Sequence, residues 1–249
     1  MDQGQAMASV FHGAARDPEN ALRLNAQLSE QEPERAQDYG SYLVAAFTRA
    51  GEFSQAAAFA AESAPEVRVD WLNAAYSRWA GDQPQAALEH LGKLSNREIR
   101  QMAFDAAVSH WAQNKPREVA EYALTLSDGR EREFALNAAL RAWSSADAVE
   151  AATWMGRFEP SPHLDFGAAM IASQPEAMRH PQIATSWAES ITDPRLRVAI
   201  LASVVNEWAL TDPVAARHYA EFSPRIWAED RAGVLFAFEP DFHPISLLP

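Results

Sequence analysis

Four arginines recur at one offset along the chain. Arg68, Arg100 and Arg132 are 32 residues apart, and Arg197 follows two such periods plus one residue later. Arg35 lies one place off the series. A guanidinium offers a planar fork of donors that suits carboxylates and carbonyl groups. Each of these arginines falls in the first turn of a predicted helix, where a cation opposes the helix dipole. Repetition against local preference needs a reason. One reading has each arginine bonding carboxylates or helix-terminal carbonyls of the neighbouring hairpin, with Glu66, Glu98, Glu131 and Asp193 close in sequence. The other has the arginines forming a ladder that holds an acidic peptide segment.

A second group of chemistry-bearing residues is His163, Asp165, Glu176, Arg179 and His180, in a stretch that also holds Pro160, Pro162, Pro175 and Pro181. Carboxylates and imidazoles can ligate metals or move protons. The spacing does not favour that: no His-Glu-x-x-His is present and no two of the seven histidines lie at i, i+4. The reading puts a bend with solvated side chains first, a binding contact second, and a metal or catalytic site last. The absence of cysteine excludes thiol catalysis and Cys-ligated zinc. No glycine-rich phosphate loop and no Gly-x-Ser-x-Gly elbow occurs. The expectation is a chain that is not an enzyme and uses no cofactor or metal.

The formal charge of −13 disfavours a nucleic-acid partner. No stretch of 18 apolar residues exists, so membrane insertion is not expected. The opening Met1-Asp2-Gln3-Gly4-Gln5 has neither the basic nor the apolar part of a signal peptide. A complete chain would therefore be cytoplasmic, and one whose leader has been removed would be periplasmic.

The elements that position these residues are legible from an internal repeat. Trp-Ala occurs at Trp79, Trp111 and Trp208, with Trp143 followed by Ser144. Five residues after the Trp comes a slot held by Pro84, Pro116, Ala148 and Pro213; Pro181, Glu52 and Pro18 extend the same series. Three residues past that slot come Ala21, Ala87, Val119, Ala151, Ala184 and Ala216. Six past it come Leu24, His90, Tyr122, Trp154, Trp187 and Tyr219. Leu72, Phe104, Leu136 and Leu201 precede the Trp by seven, and Ala75, Ala107, Ala139 and Val204 by four. Apolar residues at such offsets mark one face of a helix. Each unit is then a first helix ending near Trp-Ala, a polar turn such as Gly81-Asp82-Gln83, and a second helix opened by Pro. Ser95 with Glu98 reads as a capping box before the next first helix. The Trp series is expected to be core.

The sixth unit, 161–193, departs from the pattern. Its Arg slot is Asp165 and its Trp slot is Glu176. Its first helix is expected over roughly 164–173, with an irregular connector to His180. Near the end a helix is expected from about Arg225 to Phe238, and the proline-rich apolar tail after it reads as a cap on the last hairpin or a segment that docks on another copy.

The segment from Trp208 to Tyr219, Trp-Ala-Leu-Thr-Asp-Pro-Val-Ala-Ala-Arg-His-Tyr, resembles a degenerate bacterial repeat of the form Trp-Ala-x-x-Asp-Pro-x-x-Ala-x-x-Trp, and the whole chain resembles the TPR-like α-solenoids. It departs from the classical tetratricopeptide pattern in a shorter period and a shifted second helix. The unit around Phe47, Gly51 and Ala56 is closer to that pattern. The resemblance implies an all-α, right-handed superhelix of about seven hairpins of about 32 residues. The expected repeats are 5–33, 34–65, 66–95, 96–128, 129–160, 161–193 and 194–224, with a capping region at 225–249, all in one domain. It also implies protein or peptide binding, with no catalytic residue carried over, and is compatible with a homo-oligomer. An accessory superhelical domain of an enzyme, for example a cell-wall-acting one, and a self-assembly module are the alternatives.

Overall fold

A computed structural model describes residues 3–127 and 129–238. The tail read above as a cap or docking segment lies outside the described residues. Those that are described form helices and no strand. The chain divides into two compact units, Met1–Lys115 and Pro116–Pro249.

The first unit contains α1 (Gln3–Ala14), α2 (Pro18–Gln31), α3 (Ala36–Ala50), α4 (Phe53–Glu62), α5 (Pro65–Asp82), α6 (Pro84–Leu91) and α7 (Arg97–Asn114). The second contains α8 (Pro116–Thr125), α9 (Arg130–Ala146), α10 (Ala148–Met155), α11 (Asp165–Ala172), α12 (Pro175–Met178), α13 (Pro181–Glu189), α14 (Pro194–Ala209), α15 (Pro213–Phe222) and α16 (Arg231–Leu235).

The slot series marks where second helices start. Pro18, Pro84, Pro116, Ala148, Pro181 and Pro213 are each the first residue of a helix. The turn before them is tighter than the polar triplets suggest. Gly81 and Asp82 are still helical, and one residue, Gln83, separates α5 from α6. Gln83 has φ −142° and ψ 70°, and Asp147, between α9 and α10, has φ −151° and ψ 89°. A following Pro bars its predecessor from helical backbone, so the break occurs at that single residue. The same residue serves both helices. The Gln83 N–H donates to Trp79 O at 2.7 Å, and the Gln83 carbonyl accepts from Ala87 N at 3.1 Å. Where Ala148 replaces Pro, the Asp147 carboxylate accepts from Glu150 N at 2.8 Å and caps α10. The α3–α4 turn uses glycine instead. Gly51 adopts φ 81°, and Glu52 N donates to Phe47 O while Gly51 N donates to Thr48 O, a Schellman closure.

Within each unit, helices pack on near neighbours in the chain. In the first, α3 contacts α1 and α5, and α5 contacts α7, while α2, α4 and α6 each pack on the first helix that follows. In the second, α9, α11, α14 and α16 make the corresponding series, with α10, α13 and α15 beside them. The small residues three past the slot explain the close approach: Ala21, Ala87, Val119, Ala151, Ala184 and Ala216 are all fully buried. So are Leu72, Leu136, Ala139, Ala75 and Val204 on the first helices. Trp79, Trp111 and Trp143 are buried as core, whereas Trp208 is half-buried.

Three local expectations need correction. The N-cap of α7 is Asn96, not Ser95; its side chain accepts from Glu98 N and Ile99 N, and an Asx side chain reaches those N–H groups directly. The connector after α11 is not wholly irregular, because Pro175 starts the short helix α12. The last helix begins at Arg231 rather than near Arg225, since residues 224–230 form turns that Arg231 holds through three carbonyls.

Candidate functional site

The recurring arginines sit in the first turns of first helices, as placed by the repeat. Arg68 on α5 donates from Nε to Ser63 O at 3.0 Å, and its Nη2 reaches the same carbonyl. Ser63 caps the C-terminus of α4. Arg197 on α14 donates from Nη1 to Ile191 O at 2.9 Å and Thr192 O at 3.2 Å, just past α13. The end of a helix exposes carbonyls with no partner and carries partial negative charge. A guanidinium from the next helix supplies donors there, which offsets its poor fit to its own helix dipole.

Arg197 has a second role. Its Nε donates to Asp230 Oδ2 at 2.6 Å, and its guanidinium lies 3.8 Å from the centre of the Trp227 ring. Arg197 is 1% exposed and Asp230 is 3% exposed. Arg35 meets Glu32 at 3.2 Å and lies over the Tyr39 ring at 5.3 Å. Arg132 is half-buried on α9, and so is Arg100 on α7. Arg100 forms no side-chain hydrogen bond or ion pair among the described residues.

Arg231 belongs with this set and was not singled out from the sequence. It opens α16 and donates to Ala220 O, Ser223 O and Ile226 O at 2.8 to 3.1 Å. Its spacing from Arg197 is 34 residues, a signal that was present but had no following Trp to fix its register.

The sixth-hairpin group separates in space. Asp165, the first residue of α11, is buried and accepts from Thr192 N at 2.7 Å, Thr192 Oγ1 at 2.8 Å and Asp193 N at 2.8 Å. The 191–193 connector is thus gripped twice, its N–H groups by Asp165 and its carbonyls by Arg197. Asp193 in turn caps α14 through Leu196 N. Glu176, Arg179 and His180 lie exposed on and after α12. Arg179 Nη1 is 2.5 Å from Glu176 Oε2, and His180 Nε2 is 4.0 Å from Glu176 Oε1. His163 is half-buried before α11. Among the described residues no three His, Asp or Glu gather as a metal site would require.

Two concave features border the sixth hairpin. An open groove of about 700 Å³ is lined by Arg179 and Met178 with Ser203, Asn206, Glu207 and Thr211 of the α14 side. A smaller cavity of about 210 Å³ lies among Met155, Phe158, Leu164, Ala168 and Trp187.

The slot for an aromatic six past the Pro position carries a polar variation. In α6 it is His90, whose Nδ1 is 2.8 Å from the Tyr76 hydroxyl and whose ring lies 4.9 Å from that of Trp79. Burial lowers the His90 pKa and the Lys93 charge lowers it further. Burial also raises the Tyr76 pKa, so the pair is a phenol donating to a neutral imidazole. A lowered folded value means that the unfolded chain binds the proton more readily. This stability contribution is present above the unfolded pKa of about 6.5 and is lost as pH falls through the lower folded value. The thermal midpoint is therefore expected to drop below about pH 6.5, and His90→Phe is expected to show a smaller drop in the same melts.

No protein-family model, curated protein or solved structure matches the chain.

Proposed function

We propose that the chain is a non-catalytic scaffold of the α-solenoid kind that binds a protein or peptide segment. The observation that carries this reading is the open groove of about 700 Å³ beside the sixth hairpin. Its lining mixes a cationic side chain, Arg179, with the hydroxyl and amide groups of Ser203, Thr211 and Asn206 and one carboxylate, Glu207. Such a surface can satisfy the backbone of an extended segment and pair with an acidic residue on it. An enzyme site would be expected to be more enclosed, with convergent titratable groups. Within the unit that holds the groove, successive hairpins packing on chain neighbours leave rows of equivalent side chains for an extended partner.

The ion pair of Arg179 with Glu176 is exposed on both sides and is worth about 0–1 kcal/mol, so it can be exchanged for a partner carboxylate at little cost. The test uses partner captured by the immobilised intact chain and competed with an acidic or a neutral decapeptide. The acidic peptide is expected to compete better. Arg179→Ala is expected to weaken capture about tenfold, the loss of one charge-assisted bond, while shifting the melting temperature little. Equal competition by both peptides, or a large fall in melting temperature with capture intact, counts against it.

A further inference from the structure

The repeat pairs two aromatic positions, and one hairpin lacks half of the pair. In α5–α6 the Trp slot and the residue six past the Pro slot are Trp79 and His90, with ring centres 4.9 Å apart. In α9–α10 they are Trp143 and Trp154 at 5.6 Å. In α14–α15 they are Trp208 and Tyr219 at 5.7 Å. In the sixth hairpin the second position is Trp187, but the Trp slot is Glu176, which is exposed and held by Arg179. Trp187 has no aromatic ring against it among the described residues and is half-buried.

Instead, Trp187 borders the cavity of about 210 Å³. The other walls are apolar: Met155 at the end of α10, Phe158 and Pro160 after it, and Leu164 and Ala168 around α11. Ser186 and Ser190 add hydroxyls from α13. An apolar cavity of about 150 Å³ accommodates a benzene ring, so this one has room for an indole or a phenol. An aromatic entering beside Trp187 gains ring–ring contact, and the Met155 thioether can meet its edge. The Ser190 hydroxyl donates to Trp187 O at 2.7 Å, which leaves its oxygen able to accept from an indole N–H or a phenol O–H. Phe158, Pro160 and Ser186 reach solvent, so the mouth is open.

We propose that this cavity binds one aromatic side chain, Trp or Tyr, presented by the segment that the scaffold holds. The inference rests on the peptide-binding reading for the source of the ring, but the ring's recognition is measurable without any peptide.

The probe is N-acetyl-5-fluorotryptophanamide, followed by ¹⁹F NMR so that the eight native tryptophans do not interfere. N-acetylleucinamide is the apolar competitor without a ring. Saturable binding of the fluorinated probe to the intact protein is expected, with the leucine analogue competing at least tenfold more weakly. Trp187→Ala is expected to weaken the probe about tenfold and Trp187→Phe much less. Ser186→Leu, a change at an exposed rim position, is expected to block the mouth without disturbing the fold, so it decides the matter if Trp187→Ala unfolds. No saturation, equal competition by the leucine analogue, or full binding by Ser186→Leu overturns the proposal. If the probe binds as expected but no peptide does, the aromatic site stands and the scaffold reading fails. If peptides bind and Ser186→Leu leaves both them and the probe unaffected, the aromatic site fails alone.

Discussion

Replacing Arg197 with alanine is expected to cost about 3–5 kcal/mol of folding stability, the penalty for leaving a buried charge without its partner. The stranded charge would be Asp230, which is 3% exposed and whose bond from Arg197 Nε is 2.6 Å long. The carbonyls of Ile191 and Thr192 would lose their donor as well. Arg197→Lys is expected to recover little, because an ammonium cannot reach two carbonyls, a carboxylate and the Trp227 face from one plane. Asp230→Asn should be milder, since the amide still accepts from Nε. Urea unfolding of the four proteins checks the order: wild type, then Asp230→Asn, with Arg197→Lys and Arg197→Ala lowest. A midpoint for Arg197→Ala equal to that of wild type would show that the buried bonds contribute nothing net.

The second large effect is expected at Asp165. Its carboxylate is the acceptor for two backbone N–H groups and one hydroxyl in the connector that leads into the seventh hairpin. Asp165→Ala leaves those donors unsatisfied, each at about 1–3 kcal/mol, so a total loss of about 3–5 kcal/mol is expected after relaxation and water entry. Asp165→Asn should recover only part, because its NH₂ would face donors on one side. Glu176→Ala, in the same hairpin, is expected to change stability by less than about 0.5 kcal/mol. Chemical denaturation separates the two classes. Equal, small losses at Asp165 and Glu176 would contradict the assignment of Asp165 as a clamp on the 191–193 connector.

The contrast between these two acids shows what was legible in the sequence. The repeat register placed the starts of six second helices to the residue and of α4 to within one, because Pro at a slot and a small residue three later are strict local and packing requirements. The same register flagged Asp165 and Glu176 as departures. It could not distinguish them: which one turns inward depends on the connector after α13 reaching the first turn of α11, a contact between residues 27 apart in sequence. The two alternatives for the arginines were likewise left open by spacing. Arg68 and Arg197 reach carbonyls that follow the preceding second helix, and no residue-type signal marks a backbone acceptor. Asp230 was missed because it belongs to a turn that reads as helix, and Arg231 because no Trp follows it. The groove at Arg179 and the cavity at Trp187 arise where α11 is only eight residues long. The prolines announced that shortening, but not the space it leaves.

The most direct test of the scaffold reading is calorimetric titration of the intact chain with a peptide selected on it from a random library. The account predicts saturable one-to-one binding in the micromolar range, weakened about tenfold by Arg179→Ala, while a scrambled version of the same peptide gives no heat. A selection that enriches no sequence over its scrambled control, or a selected peptide that binds wild type and Arg179→Ala alike, would contradict it.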